Sequence, residues 1–274
     1  MPAPSITISF MDSLLLWIVG FTVAGGALGV LGAGSVLLLS TRLRERLLPM
    51  LVSFAIGALL GGAFLALLPH ALEAPGVDAH DIALTVLLAL LAFFVLEKMV
   101  LWRHCHTLDC EVHGSLDHAA LERARKVAAG GLILVGDGIH NLVDGVLIAA
   151  AFMTDIHLGV VTSLAVIAHE LPQELGDFAI LLASGYSRAR ALAYNVLSGL
   201  STVIGGVAAW LSLSFAMGAL PYVLAVAAAS FIYIAVADLI PGLHRRPSPS
   251  ATLQQLALIG LGVVIILLVD RAMH

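Results

Sequence analysis

Long apolar runs alternate with short polar breaks along this chain, and the alternation repeats eight times. The runs cover roughly 14–39, 49–71, 81–102, 127–152, 158–184, 189–212, 219–241 and 251–270. Each is long enough to cross a hydrocarbon layer about 30 Å thick, some with tilt. Backbone groups find no water in hydrocarbon, so a spanning run has to be helical. The pattern predicts an all-α, polytopic membrane protein with eight transmembrane helices in a single domain over residues 1–274. One sizeable loop, about 103–126, separates the third and fourth runs, and every other connection is too short for a soluble domain. No basic residue precedes the first run, which is expected to be a retained span.

Composition agrees with this reading. The chain is 60% hydrophobic and 11% charged, whereas a soluble domain carries about a quarter charged residues. The placement of the charges adds a direction. Arg42, Arg44 and Arg46 follow the first run, and Lys98, Arg103, Arg123, Arg125 and Lys126 flank the long loop. Arg188 and Arg190 follow the fifth run, and Arg245 and Arg246 the seventh. In an eight-span arrangement these twelve of the thirteen basic residues share one side, leaving only Arg271 opposite. A seven-span arrangement scatters them over both faces. The positive-inside rule makes the shared side cytoplasmic and places both termini outside, in the cell (inner or plasma) membrane. Glu73, Asp78, His80, Asp81, Asp155 and His157 then fall on the outer side, as a mild attractor for cations or as ordinary soluble loop residues.

Two runs carry residues that hydrocarbon does not tolerate. His140-Asn141-Leu142-Val143-Asp144 and His169-Glu170-Leu171-Pro172-Gln173-Glu174 each lie about a dozen residues from the ends of their runs, near the bilayer midplane at about 1.5 Å per residue. Asp137, His140, Asn141 and Asp144 recur at spacings of three and four, within an arc of about 100° on one helix face. His169, Glu170, Gln173, Glu174 and Asp177 lie within about 140° of one another. Imidazoles, carboxylates and amide oxygens at one depth suit a borderline divalent cation: Zn²⁺ first, with Cd²⁺, Fe²⁺, Mn²⁺ and Co²⁺ as further candidates. Weak amide donors favour a site that releases its ion over a closed structural one. Pro172 inside the fifth run removes the hydrogen bond to the Ala168 carbonyl and is expected to bend the helix beside these groups.

These motifs resemble the ZIP (Zrt-/Irt-like protein) family of divalent-metal transporters, closest to the subfamily with an HExPHExGD fifth helix. That signature reads here from His169 to Asp177, and the fourth-helix HNxxDG pattern reads from His140 to Gly145. Weaker echoes are Leu67-Leu68-Pro69-His70-Ala71, Glu97-Lys98, Asn195-Val196-Leu197-Ser198 and Ala237-Asp238-Leu239-Ile240-Pro241. The resemblance implies metal uptake toward the cytosol, eight helices with both termini outside, a homodimer and a two-metal site. His140, Glu170 and Gln173 match the positions of one ion, and Asn141, Asp144 and His169 those of the other. His70, Asp137, Glu174, Asp177 and Asp238 are secondary candidates for the transport path. Three positions depart from the family pattern. Gln173 replaces a usual His, Gly62 and Ala66 stand where polar residues are common, and Gly242 replaces an acid after Pro241.

The long loop adds His104, Cys105, His106, Cys110 and His113, a set able to receive or sense metal on the cytoplasmic side. The expected partners are divalent metal ions, the lipid bilayer and a second copy of the chain. No nucleic acid, resident cofactor or catalytic residue is expected. Two readings compete with transport. An intramembrane zinc hydrolase or protease would use His169-Glu170 as half of an HExxH motif, but Gln173 stands in place of the second His. A metal sensor would bind without moving its ion.

Overall fold

The computed structural model describes residues 4–106, 118–213, 216–244 and 248–273. Among these the chain is entirely helical and forms eight rods. Helix α1 is Pro4–Leu37. Helix α2 starts as Thr41–Gly61, widens into a π-helical segment at Gly62–Leu67 and ends as Leu68–Glu73. Helices α3, α4, α5 and α6 are Ala79–His106, His118–Thr154, Ile156–Ala183 and Arg188–Leu213. Helix α7 opens with a 3₁₀ turn at Met217–Ala219, continues as Leu220–Tyr233, widens again at Ile234–Leu239 and closes as Ile240–Leu243. Helix α8 is Pro249–Met273.

The two π-helical segments have one cause. Pro69 and Pro241 supply no N–H, and their rings push away the carbonyl four residues back. The ladder slips by one residue just ahead of each: Leu68 N–H reaches the Ala63 carbonyl and Ile240 N–H the Ala235 carbonyl. Helix α5, by contrast, runs on through Pro172.

Short connections end the helices with recognisable local chemistry. Asp155 Oδ1 accepts from the backbone N–H groups of His157 and Leu158, at 2.8 and 3.2 Å, and so caps α5. Asp78 accepts from His80 N–H at the start of α3, Ser187 from Arg190 at α6 and Ser248 from Ala251 at α8. Asp78 and Asp155, two of the acidic residues between spans, thus have capping work. At the end of α5, Tyr186 N–H reaches back to the Leu181 carbonyl and Gly185 N–H to that of Leu182, with Gly185 at φ 91°. This is a Schellman turn, whose left-handed position is easiest for glycine.

Helix α5 is central, touching α1, α2, α4, α6 and α8. Helix α4 packs chiefly on α6, α1 on α5 and α6, α2 on α8, and α3 on α7. Glycines set the closest crossings. A Cβ at Gly145 would collide with the Thr202 carbonyl, and one at Gly205 with that of Leu142, so α4 and α6 meet backbone to backbone. Gly57 and Gly262 do the same for α2 and α8, against Ile259 and Phe54. The outer surface remains apolar: Leu87, Leu88, Leu91 and Phe94 on α3 and Leu253, Leu256 and Leu268 on α8 are all exposed. Such a surface is stable only against lipid or another apolar face. Helices α1, α2, α6, α7 and α8 are long and apolar enough to cross a membrane, and α3 contributes the shorter apolar run Ala79–Val95. This is a multi-pass membrane protein.

Candidate metal site

The buried polar groups converge where α4 meets α5. His140, Asp144, His169 and Glu170 each offer one ligand atom, and the four atoms lie within 4.8 Å of one another. The facing pairs are His169 Nε2 to Asp144 Oδ2 at 3.0 Å, His140 Nε2 to His169 Nε2 at 3.2 Å and His140 Nε2 to Asp144 Oδ2 at 3.4 Å. Glu170 Oε1 lies 3.8 Å from each imidazole nitrogen. A tetrahedral zinc ion with bonds of about 2.0–2.1 Å has ligand atoms about 3.3 Å apart. The observed edges bracket that value.

Hydrogen bonding leaves this cluster short of positive charge. His169 Nδ1 donates to the Ala165 carbonyl at 3.1 Å, which presents Nε2 as a lone pair toward the other ligands. Both carboxylates are buried, and no oxygen of Asp144 or Glu170 has a hydrogen-bond donor. His140 Nε2–H then donates to His169 Nε2 at 3.2 Å, but the carboxylate oxygens receive no proton, and unpaired buried acceptors are costly unless something positive lies among them. Two carboxylates match the charge of a divalent cation, and two imidazoles favour a borderline one over Mg²⁺ or Ca²⁺. Phe231 of α7 closes one side, its ring 6.1 Å from that of His169.

The structure places Asn141 and Gln173 beside these four. Asn141 is buried, and its amide oxygen accepts from Thr202 Oγ1 at 2.8 Å. Its amide nitrogen donates to Asp137 Oδ1 at 3.0 Å and to Ser198 Oγ at 3.2 Å. Gln173 Nε2 reaches Asp137 Oδ1 at 3.5 Å. Ser198 and Thr202 thus hold Asn141 from α6, a role no motif announced; their three-and-four spacing from Asn195 and Ser198 was the available signal. Thr202→Val strands the Asn141 oxygen without a donor and is expected to cost about 1 kcal/mol, read from thermal unfolding in lipid nanodiscs.

The other candidates are placed as follows. His70 Nδ1 donates to the Ala66 carbonyl near the end of α2 and is not one of the four clustered groups. Asp137 and Glu174 lie one turn from the cluster along α4 and α5, and Asp177 two turns. Asp238 falls on the π-helical segment of α7. His104, Cys105 and His106 end α3, whereas Cys110 and His113 lie outside the described residues.

Comparison with known proteins follows the same lines. A family model described as ZIP Zinc transporter matches residues 103–270. Zinc transporter ZIP5 of Homo sapiens is 35% identical over 298 residues, covering 85% of this chain and 55% of that protein. Zinc transporter ZIP13 of Homo sapiens is 32% identical, covering 81% and 70% respectively. Zinc transporter foi of Drosophila melanogaster reaches 48% over 117 residues, covering 42% and 16%. The chain therefore spans between about half and 70% of the length of the two human relatives. With the family model covering more than half of it and relatives aligned along four-fifths, the chain belongs to the ZIP zinc transporter family.

Proposed function

We propose that this protein carries divalent metal ions, zinc foremost, through the bilayer toward the cytosol by way of the site between α4 and α5. The observation that carries the reading is the set of four converging ligand atoms, three of them on buried residues and His140 half-buried, with near-tetrahedral spacing and no donor to either carboxylate. The relatives' names, all zinc transporters, support the same cargo.

In this reading all eight helices span the membrane, both termini lie outside, and the twelve basic residues face the cytoplasm of the cell membrane. The site's four main ligands bind one ion. Asn141 and Gln173 extend it toward Asp137 and admit a second ion once their present hydrogen bonds exchange. Alternating access comes from movement of the α1–α4–α5–α6 group against α2 and its partner α8, along the α2–α5 contact. Gly57 and Gly61 pack against α8 within the chain. A homodimer, which the family resemblance implies, accordingly uses the exposed apolar faces instead. Cd²⁺, Fe²⁺, Mn²⁺ and Co²⁺ compete in proportion to their preference for mixed nitrogen and oxygen ligands. The histidines and cysteines from His104 at the end of α3 through His113 receive the ion on release.

The test is flux into proteoliposomes that hold the purified chain and a zinc-sensitive dye. Zinc is expected to enter at a saturable rate, with Cd²⁺ competing better than Mn²⁺. A rate equal to that of protein-free liposomes rejects transport and leaves a metal sensor as the surviving reading.

A further inference from the structure

One to two turns from the histidine cluster lies a second polar group of different composition. It consists of Asp137 on α4, Glu174 and Asp177 on α5 and Asn195 on α6. Glu174 is fully buried, and Asp137 and Asn195 nearly so. Both carboxylate oxygens of Glu174, Oδ2 of Asp137 and the amide oxygen of Asn195 have no hydrogen-bond partner. Glu174 and Asp177 are three residues apart on one face of α5, and Gln173, next to Glu174, reaches Asp137 Oδ1 at 3.5 Å, which brings the Asp137 turn of α4 alongside them. Asn195 donates its amide N–H to the Glu174 carbonyl at 3.3 Å, which keeps its unpartnered oxygen in the same neighbourhood. Gly29 of α1 borders both groups: a Cβ there would sit 3.4 Å from Glu174 Cγ and 3.8 Å from Glu170 Oε2. Neither α5 nor residues 127–154 of α4 contain a Lys or Arg to neutralise these acids.

Glu174 and Asp137 hold unpartnered carboxylate oxygens out of water, with Asp177 half-buried beside them, and a bound cation would supply the partner these oxygens lack. Their donors are oxygen only, and among the described residues they do not form a trio of ligand atoms within 4.8 Å as the histidine cluster does. That spacing is too wide for direct ligation of a single bare ion. It fits an ion that keeps its waters. A metal–water bond of about 2.1 Å plus a hydrogen bond of about 2.7 Å puts the protein oxygens nearly 5 Å from the metal.

We propose that Asp137, Glu174, Asp177 and Asn195 form a second cation station, which holds a hydrated divalent ion through its water ligands. Its place on the way to the cytoplasm rests on the transport reading above; its ability to bind does not. A mixed nitrogen and oxygen site must let its ion go, and an adjacent, weaker, strongly negative site lowers the barrier to departure.

Mn²⁺ alone is the probe, read by electron–nuclear double resonance on the purified full-length chain carrying Asp144→Ala, which disables the histidine cluster. This variant is expected to bind Mn²⁺ with a nearly complete water shell. Adding Glu174→Gln is expected to weaken that binding about tenfold, whereas Glu174→Asp keeps most of it. In proteoliposomes Glu174→Gln alone is expected to lower the maximal zinc flux about tenfold while the half-saturating zinc concentration moves by less than about twofold. Its melting temperature should equal or exceed that of the native chain, which separates the effect from misfolding. Mn²⁺ binding indifferent to Glu174, or native flux in both Glu174→Gln and Asp137→Asn, overturns the station. Undiminished flux in Asp144→Ala overturns the route through the histidine cluster instead, and the Mn²⁺ measurement then decides the station by itself.

Discussion

Replacing Asp144 with alanine is expected to abolish zinc flux while leaving the protein folded in the membrane. Asp144 Oδ2 faces both imidazole nitrogens, at 3.0 and 3.4 Å, so one side chain joins α4 to α5 across the site. Without it a divalent ion would sit in low dielectric with only Glu170 to balance its charge. Removing one partner from a buried charge pair costs about 3–5 kcal/mol, and a kilocalorie-scale loss of this size lowers ion occupancy at least about a hundredfold. The empty protein should respond in the opposite sense. Asp144 has no donor to its oxygens, so its removal relieves an uncompensated buried charge. The melting temperature of the metal-free variant should therefore match or exceed that of the native chain, while zinc no longer raises it. A variant that still melts higher with zinc and still carries flux would place the ion elsewhere.

The second large effect concerns the frame and not the ligands. Gly145 follows Asp144 directly, and a Cβ at this position would run into the Thr202 carbonyl and the Gly206 amide, both backbone atoms of α6. Backbone cannot swing aside as a side chain can, so Gly145→Val must separate the two helices. Separation breaks the Thr202 and Ser198 bonds to Asn141 and displaces His140 and Asp144 on the same face. Overpacking costs about 1–3 kcal/mol and more where backbone must move, so large losses of both folded protein and flux are expected. Gly136→Ala supplies the control on the same helix. Nothing lies within 4 Å of its would-be Cβ, and alanine favours a helix over glycine by about 1 kcal/mol. Expression and thermal unfolding of the two variants should diverge in opposite directions.

Much of this could be read from residue order because the membrane simplifies the problem. Leucine-, alanine- and valine-rich runs have to be helices in hydrocarbon, and the all-helical architecture follows from that alone. Helix ends were less legible. Helix α4 begins at His118, well before its apolar run, because Ala119-Ala120-Leu121-Glu122-Arg123-Ala124-Arg125-Lys126 is a strong helix former in water too. The π-helical segments could have been placed from Pro69 and Pro241, since each proline disturbs the turn that precedes it.

At the site, the three-and-four spacing on each helix gathers the polar residues on one face, but spacing within a helix says nothing about its neighbours. That Thr202 and Ser198 hold Asn141, or that Gly29 opens room beside Glu170 and Glu174, depends on how α6 and α1 dock. The same limit applied to the glycines. Gly57 and Gly61 have the small-residue spacing of a helix-pairing face, and only the packed structure identifies α8 as the partner.

The central claim is that a zinc ion is held by His140, Asp144, His169 and Glu170. Zinc K-edge X-ray absorption on the purified full-length chain, loaded at an equimolar ratio, tests it most directly. The account predicts nitrogen and oxygen ligands at about 2.0–2.1 Å with multiple scattering from two imidazole rings. Sulfur at about 2.3 Å, or a shell without imidazole, would contradict it.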